Sequence, residues 1–397
     1  MKKTILFVID SLHCAGAEKS LTTLLNLLDY SKYEIDLQLF GYGGVFEKLL
    51  PKDVNLLKPL EYINFNNKTI KESIISSIKN KNYKMLSARL KFSGRIHIAK
   101  YNNAEKARIF WKYSEKVIPI SGKKYDIAIA YAQALPTFFV SEKIKADKKY
   151  AWVNVSYSID KRERDFQTRY YSEYNKIIAV SDETKDIFAD TFPEHKEKLE
   201  VIRDIMDPNF IEEMSKNGES YKDKFEGIRI LTIGRLAEQK GYNVALEACK
   251  LLKEKGINFR WYVLGKGPLE EEIRHYIKDN KLEKNFILLG VSSNPYPYIR
   301  DCDIYVQTSK FEGFGIAIAE ARMLNKPVVT TKFDAVFAQM IHRKNGLVVE
   351  NDSKSVCNGI LELINNCNLK EEIINFLKQE KKGNLEELDK FKNLILI

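Results

Sequence analysis

Short apolar runs rich in β-formers alternate with helix-periodic segments along most of this 397-residue chain, and they do so in two successive blocks. In the first block the runs are residues 4–9, 33–40, 126–131, 150–153, 176–180 and 199–203. In the second they are 228–233, 259–264, 286–289, 303–307, 327–330 and 346–349. Continuous apolar runs are what parallel strands need when helices cover both faces. Helix patterns fall between them at 17–28, 182–190, 242–255, 269–278 and 316–324. Alternation of this kind predicts two doubly wound, Rossmann-like α/β domains, and the chain is longer than one core ordinarily organises.

The polar stretch 212–226 is the expected linker. It divides the chain into an amino-terminal domain, 1–210, and a carboxy-terminal domain, 227–380. Residues 381–397 form a terminal helix that is a candidate for packing back on the amino-terminal domain. An insertion at about 64–124 breaks the strand–helix rhythm, and its Ile74, Ile75, Ile78, Leu86 and Leu90 predict amphipathic helices. Residues 67–124 also carry fifteen Lys and Arg against three Glu and no Asp, whereas the rest of the chain holds 49 basic and 51 acidic residues. The net charge of +10 therefore belongs to one segment. Five scattered cysteines without a Cys-x-x-Cys pair fit a reducing cytoplasm and argue against a disulfide framework or a zinc site. The first residues place lysines before an apolar run, as a signal peptide does. Asp10 ends that run early and no small-residue cleavage site follows, so a buried first strand is expected. No stretch approaches the roughly 18–20 apolar residues of a membrane-spanning helix.

In open α/β sheets, ligands sit beyond the carboxyl ends of the strands. Three loops there carry chemistry. Gly234-Arg235-Leu236-Ala237-Glu238-Gln239-Lys240-Gly241 puts two cations on one short loop. They suit a diphosphate, with Arg as a fork and Lys as a point charge, although a solvated loop would have the same composition. Gly265-Lys266-Gly267-Pro268 opens a helix whose amino-terminal N–H groups favour anions; a plain turn uses the same glycines. Glu312-Gly313-Phe314-Gly315-Ile316-Ala317-Ile318-Ala319-Glu320 passes into a helix. Its glycines let backbone N–H groups reach a ligand, and the apolar setting of Glu320 calls for hydrogen-bond donors that a polyhydroxylated ligand supplies.

These three motifs, with Lys326-Pro327-Val328-Val329, stand in the order and spacing of family 4 retaining glycosyltransferases, which have the GT-B fold. The chain resembles that family over nearly all of 228–352. The amino-terminal half resembles it more thinly, through Ala15-Gly16-Ala17-Glu18, Ala151-Trp152-Val153 and Ala179-Val180-Ser181. The resemblance implies two Rossmann-like domains facing across a cleft, a nucleotide-sugar donor with UDP favoured, and hexose transfer with retention. Arg235 and Lys240 would neutralise the diphosphate, with Gly16 approaching it from the opposite domain. Glu312 and the N–H groups of Gly313, Phe314, Gly315 and Ile316 would hold the transferred sugar and the phosphates. Glu320 would bind the ribose, and Gly265, Gly267 and Val291 would line the nucleotide pocket. Such enzymes need no metal or other cofactor, because side-chain cations and helix dipoles carry the leaving-group charge. One position departs from the pattern. Asn154 stands where the family often has His; it can still exchange hydrogen bonds with a sugar but cannot take a proton.

Asp301-Cys302-Asp303 has the form of an Asp-x-Asp metal motif but joins a helix end to a strand, and Asn294-Pro295-Tyr296-Pro297-Tyr298 reads as a turn with packed tyrosines. Nucleic acid is disfavoured, since no recognition motif accompanies the basic segment. The leading expectation is a transferase acting on a lipid-linked or growing glycan in bacterial surface-polysaccharide assembly. It would be cytoplasmic and peripheral at the inner face of the membrane, held on anionic lipid through about 67–124. Two alternatives stay open: a GT-B nucleotide-sugar epimerase, and a catalytically weak paralogue that partners another transferase.

Overall fold

The computed structural model describes residues 2–13, 16–155, 159–312 and 314–396. They form two compact units, one of residues 2–13, Ala17–Asp204 and 387–396, the other of Gly16 and Ile205–Glu386.

The first unit is built on a seven-stranded sheet of β1 (Lys3–Ile9), β2 (Tyr33–Leu39), β3 (Val54–Leu56), β4 (Lys124–Ala130), β5 (Lys145–Val153), β6 (Lys176–Ala179) and β7 (Leu199–Val201). The order is β3-β2-β1-β4-β5-β6-β7, with every pairing parallel. Ile5 to Ile9 of β1 are all buried, as a central strand covered on both faces must be. β3 is the one strand absent from the sequence reading. It has three residues at the sheet edge, none of them buried, so no apolar run marks it.

Between β3 and β4 come the helices Glu61–Asn66, Ile70–Asn80, Tyr83–Ile96 and Asn103–Ser114. Phe110 and Trp111 belong to the core of the unit, and Phe92 meets the Phe110 ring edge-on at 5.3 Å. Helix Ile70–Asn80 is oriented differently. Its buried residues are Ser73 and Ser77, whose hydroxyls donate to the carbonyls of Thr69 and Asn82 at 2.9 and 3.4 Å, while Ile70, Ile74, Ile75 and Ile78 face solvent.

The chain's last helix, Glu386–Leu396, also lies on the first unit. Phe391 packs against Phe7 and Trp152, with ring centroids 6.3 and 6.0 Å apart. Lys3 Nζ donates to the carbonyls of Ile395 and Leu396 at 2.8 and 3.1 Å, and so satisfies carbonyls that a helix end leaves without partners.

The second unit has a six-stranded sheet of β8 (Ile228–Ile233), β9 (Phe259–Leu264), β10 (Phe286–Gly290), β11 (Ile304–Gln307), β12 (Val328–Thr331) and β13 (Leu347–Val349). Its order is β10-β9-β8-β11-β12-β13, again parallel throughout. The winding reverses between β8 and β11, so the loops leaving these two neighbours diverge to opposite faces and open a crevice.

The division between the units falls at Asp204–Ile205, not within 212–226. Helix Pro208–Lys216 packs Ile211 into the second unit, where Asn294 Nδ2 donates to the carbonyls of Met214 and Asn217 at 2.8 and 2.6 Å. Farther along the same stretch, the Asp223 carboxylate accepts from Tyr262 at 2.5 Å, Arg260 at 2.7 Å and Arg229 at 3.1 Å. A polar segment tied down this way is part of a domain, not a linker.

Candidate functional site

The crevice beside β8 and β11 gathers most of the residues singled out from the sequence. The loop after β8 carries Arg235 and Lys240, and the loop after β11 carries Glu312. Lys240 Nζ lies 2.5 Å from Glu312 Oε1, and both side chains are largely shielded. Arg235 is exposed, and its guanidinium makes no ion pair or hydrogen bond among the described residues. One cation is therefore neutralised in place while the other stands open to an anion.

Backbone packing explains the glycines of the neighbouring loop. A Cβ on Gly265 would lie 1.9 Å from the Gly234 carbonyl oxygen, and one on Gly267 would lie 2.3 Å from that of Leu236. Gly265 N also donates to the Gly290 carbonyl at 2.7 Å, which joins the loops after β8, β9 and β10. Val291, half-buried, follows that junction. The loop contacts alone demand Gly265 and Gly267.

Helix Ile316–Met323 begins at Gly315, whose φ of +81° is the left-handed region that favours glycine. No side chain caps this end, and a helix start leaves N–H groups unpartnered. Gln339 Nε2 donates to the carbonyls of Phe314 and Gly315, holding the loop from behind. Gly313 lies outside the described residues. One turn inside, Glu320 is buried and its Oε1 accepts from the Tyr296 hydroxyl at 3.0 Å. Burial and then the Glu320 charge push the Tyr296 hydroxyl well above its usual pKa, so it remains a donor. Glu312 Oε1 accepts from Ser309 at 2.7 Å and from Gln307 at 3.4 Å as well as from Lys240.

Tyr296, Gln307, Ser309 and Gln339 escaped the sequence reading. Tyr296 lies in the stretch read as packed tyrosines, and Gln307 ends an otherwise apolar strand, a polar break that could have marked it. Asp301 and Asp303 are engaged structurally: Asp301 pairs with Arg300 at 2.8 Å, and Asp303 accepts from the Arg229 N–H at 2.8 Å. Among the described residues no group of three His, Cys, Asp or Glu could hold a metal ion.

Two expected residues come from the amino-terminal half of the chain. Gly16 opens the helix Gly16–Asn26 after β1. Asn154 follows β5 in the first unit, where its Nδ2 donates to the Tyr131 carbonyl at 2.7 Å and its N–H donates to Gln133 Oε1 at 3.0 Å. Asn154 Oδ1 is buried and accepts nothing among the described residues.

Residues 212–380 match the family described as Glycosyl transferases group 1. The chain is 29% identical over 217 residues to the putative colanic acid biosynthesis glycosyltransferase WcaL of Escherichia coli, covering 51% of this chain and 52% of that one. It is 27% identical over 215 residues to the N-acetylgalactosamine-N,N'-diacetylbacillosaminyl-diphospho-undecaprenol 4-alpha-N-acetylgalactosaminyltransferase of Campylobacter jejuni, covering 54% and 57%. It thus spans about half the length of these curated relatives. Among solved structures, Anabaena Alr3699/HepE in complex with UDP and glucose aligns over 99% of both chains with a TM-score of 0.69 and 16% identity.

Proposed function

We propose, from a GT-B fold whose residues 212–380 are a glycosyl transferases group 1 domain, that this chain is a retaining glycosyltransferase. It moves a hexose-type sugar from a nucleotide diphosphate, UDP by preference, to a lipid-linked or growing glycan in surface-polysaccharide synthesis. The observation that carries the reading is the meeting of the Arg235–Lys240 loop with Glu312 at the sheet's reversal point, with Glu320 buried one turn into the adjoining helix. Arg235, Lys240 and the helix start at Ile316 hold the diphosphate and its developing charge. Glu312 accepts hydroxyls of the sugar, and Glu320 those of the ribose. The anomeric C–O bond to the diphosphate breaks, the acceptor oxygen bonds to the same face of that carbon, and a departing phosphate oxygen takes the acceptor proton. That route asks no side chain to remove a proton, which agrees with Asn154 in the first unit. The relatives in colanic acid and undecaprenol-linked glycan synthesis support the acceptor class. Incubation with radiolabelled UDP- and GDP-sugars tests it. Transfer or slow donor hydrolysis with an α-configured product is expected, whereas epimer formation or binding alone would redirect the assignment.

The same reading puts the enzyme on an anionic bilayer at the cytoplasmic face of the membrane. The support is helix Ile70–Asn80, which turns Ile70, Ile74, Ile75 and Ile78 outward beside the exposed Lys71, Lys79 and Lys81. Each basic residue near such a surface contributes about 1 kcal/mol, and the outward isoleucines add apolar burial. Arg89 takes no part, because it is buried and donates to the carbonyls of Phe65 and Lys68. Flotation with phosphatidylglycerol vesicles should show binding that falls with salt. It should disappear when Lys71, Lys79, Lys81, Lys84 and Lys91 become Glu or when Ile75 and Ile78 become Asp. Equal binding to neutral vesicles would refute the docking.

A further inference from the structure

Behind Glu312 runs a chain of hydrogen bonds that ends in the core of the second unit. The Tyr305 hydroxyl donates to Gln307 Oε1 at 2.6 Å, Gln307 Nε2 donates to Ser309 Oγ at 2.7 Å, and Ser309 Oγ donates to Glu312 Oε1 at 2.7 Å. Tyr305, Gln307 and Ser309 are each buried almost completely. Strand β11 explains the alignment. Residues two apart on a strand face the same way, so Tyr305 and Gln307 share one face and Ser309 continues it where the strand gives way to the loop.

The direction of the chain follows from its ends. A carboxylate only accepts, so Ser309 must give Glu312 its single proton and must itself accept from Gln307. The Gln307 amide nitrogen therefore faces Ser309, and its oxygen faces Tyr305. Burial keeps the Tyr305 hydroxyl protonated and able to donate. All the hydrogen bonds that described residues donate to Glu312 reach the same oxygen, Oε1. Oε1 is thus engaged both from behind and by Lys240.

We propose that Gln307 and Ser309 are positioning residues that fix the rotation of the Glu312 carboxylate, so that Oε2 is presented to a hydroxyl of the transferred sugar. The inference rests on Glu312 as the sugar-side carboxylate. Ser309 and Gln307 touch neither nucleotide nor phosphate in this arrangement; they act through Glu312. Losing them lets the carboxylate turn and blurs a contact needed as charge develops on the sugar.

The test compares Ser309→Ala and Gln307→Met with wild type in two measurements: steady-state turnover of a UDP-sugar, and calorimetric titration with UDP alone. Both variants should lose about tenfold or more in kcat, while affinity for UDP is not reduced and KM for the donor changes little. Damage confined to folding would weaken UDP binding along with turnover. Should Gln307→Met melt early, Ser309→Ala removes the same contact by deleting one small hydroxyl and carries the test. Unchanged kcat in Ser309→Ala, or UDP binding lost in step with turnover, overturns the proposal. A wild-type protein that neither binds nor turns over any nucleotide sugar removes the functional reading, and this proposal with it.

Discussion

Glu312→Gln separates the two tasks that share Lys240. In the second unit Lys240 Nζ is held 2.5 Å from Glu312 Oε1, so an arriving diphosphate competes with a carboxylate for the same cation. The amide keeps the shape of the side chain and an acceptor for Ser309, but it replaces an ionic partner of Lys240 with a neutral one. A hydrogen bond that involves a charged group is worth about 1.5–3 kcal/mol net, and with a neutral acceptor the Lys240 contact falls from the upper toward the lower end of that range. The competing contact therefore weakens by about 1–1.5 kcal/mol, a fivefold to tenfold effect at about 1.4 kcal/mol per decade. Removing one negative charge from the crevice acts in the same direction. UDP alone should bind Glu312→Gln about five to ten times more tightly than wild type, while sugar transfer slows by at least an order of magnitude. Calorimetry with UDP, beside a transfer assay on the same preparation, reads both. Weaker UDP binding in the variant would show that Glu312 serves the nucleotide and that its pairing with Lys240 is not in competition with phosphate.

Arg235→Ala should lower donor affinity by about 1.5–3 kcal/mol and leave the melting temperature unchanged, because the exposed guanidinium has no partner among the described residues; calorimetry beside a thermal melt checks both. Glu320→Gln should weaken UDP and UDP-sugar alike and also reduce stability, since this buried carboxylate holds Tyr296; a variant that binds UDP normally would remove Glu320 from the nucleotide site. Asp223 gives a pH prediction. Burial raises its pKa, but the hydrogen bonds from Tyr262, Arg260 and Arg229 outweigh that and hold it at about 2. A depressed carboxyl pKa contributes stability that is complete above the ordinary carboxylate range and lost as pH falls toward 2. Acid melts of Asp223→Asn should therefore lose less stability between about pH 4 and 2 than wild-type melts do, and parallel acid curves would refute this.

The sequence by itself determined twelve of the thirteen strands, because parallel strands buried on two faces must be written as continuous apolar runs. The first and last residues read for β8 and β9 coincide with the strands themselves. It also marked the loops that the fold brings together in the second unit, since two cations on one loop and two carboxylates eight residues apart at a helix start are local patterns. Tertiary structure decided what depends on partners distant in sequence. Residues 212–226 read as a linker because polarity looks the same whether water or Arg229, Arg260 and Tyr262 satisfy it. Helix Ile70–Asn80 has an evident apolar stripe, yet the side placed inward is the serine side, whose hydroxyls find backbone carbonyls just before the helix and just beyond its end. Periodicity defines a stripe but not the neighbour it meets. Gln307 and Tyr296 show the same limit within the site. Their importance lies in the carboxylates they reach, 5 and 24 residues away along the chain, and only the folded sheet brings those atoms within hydrogen-bonding distance.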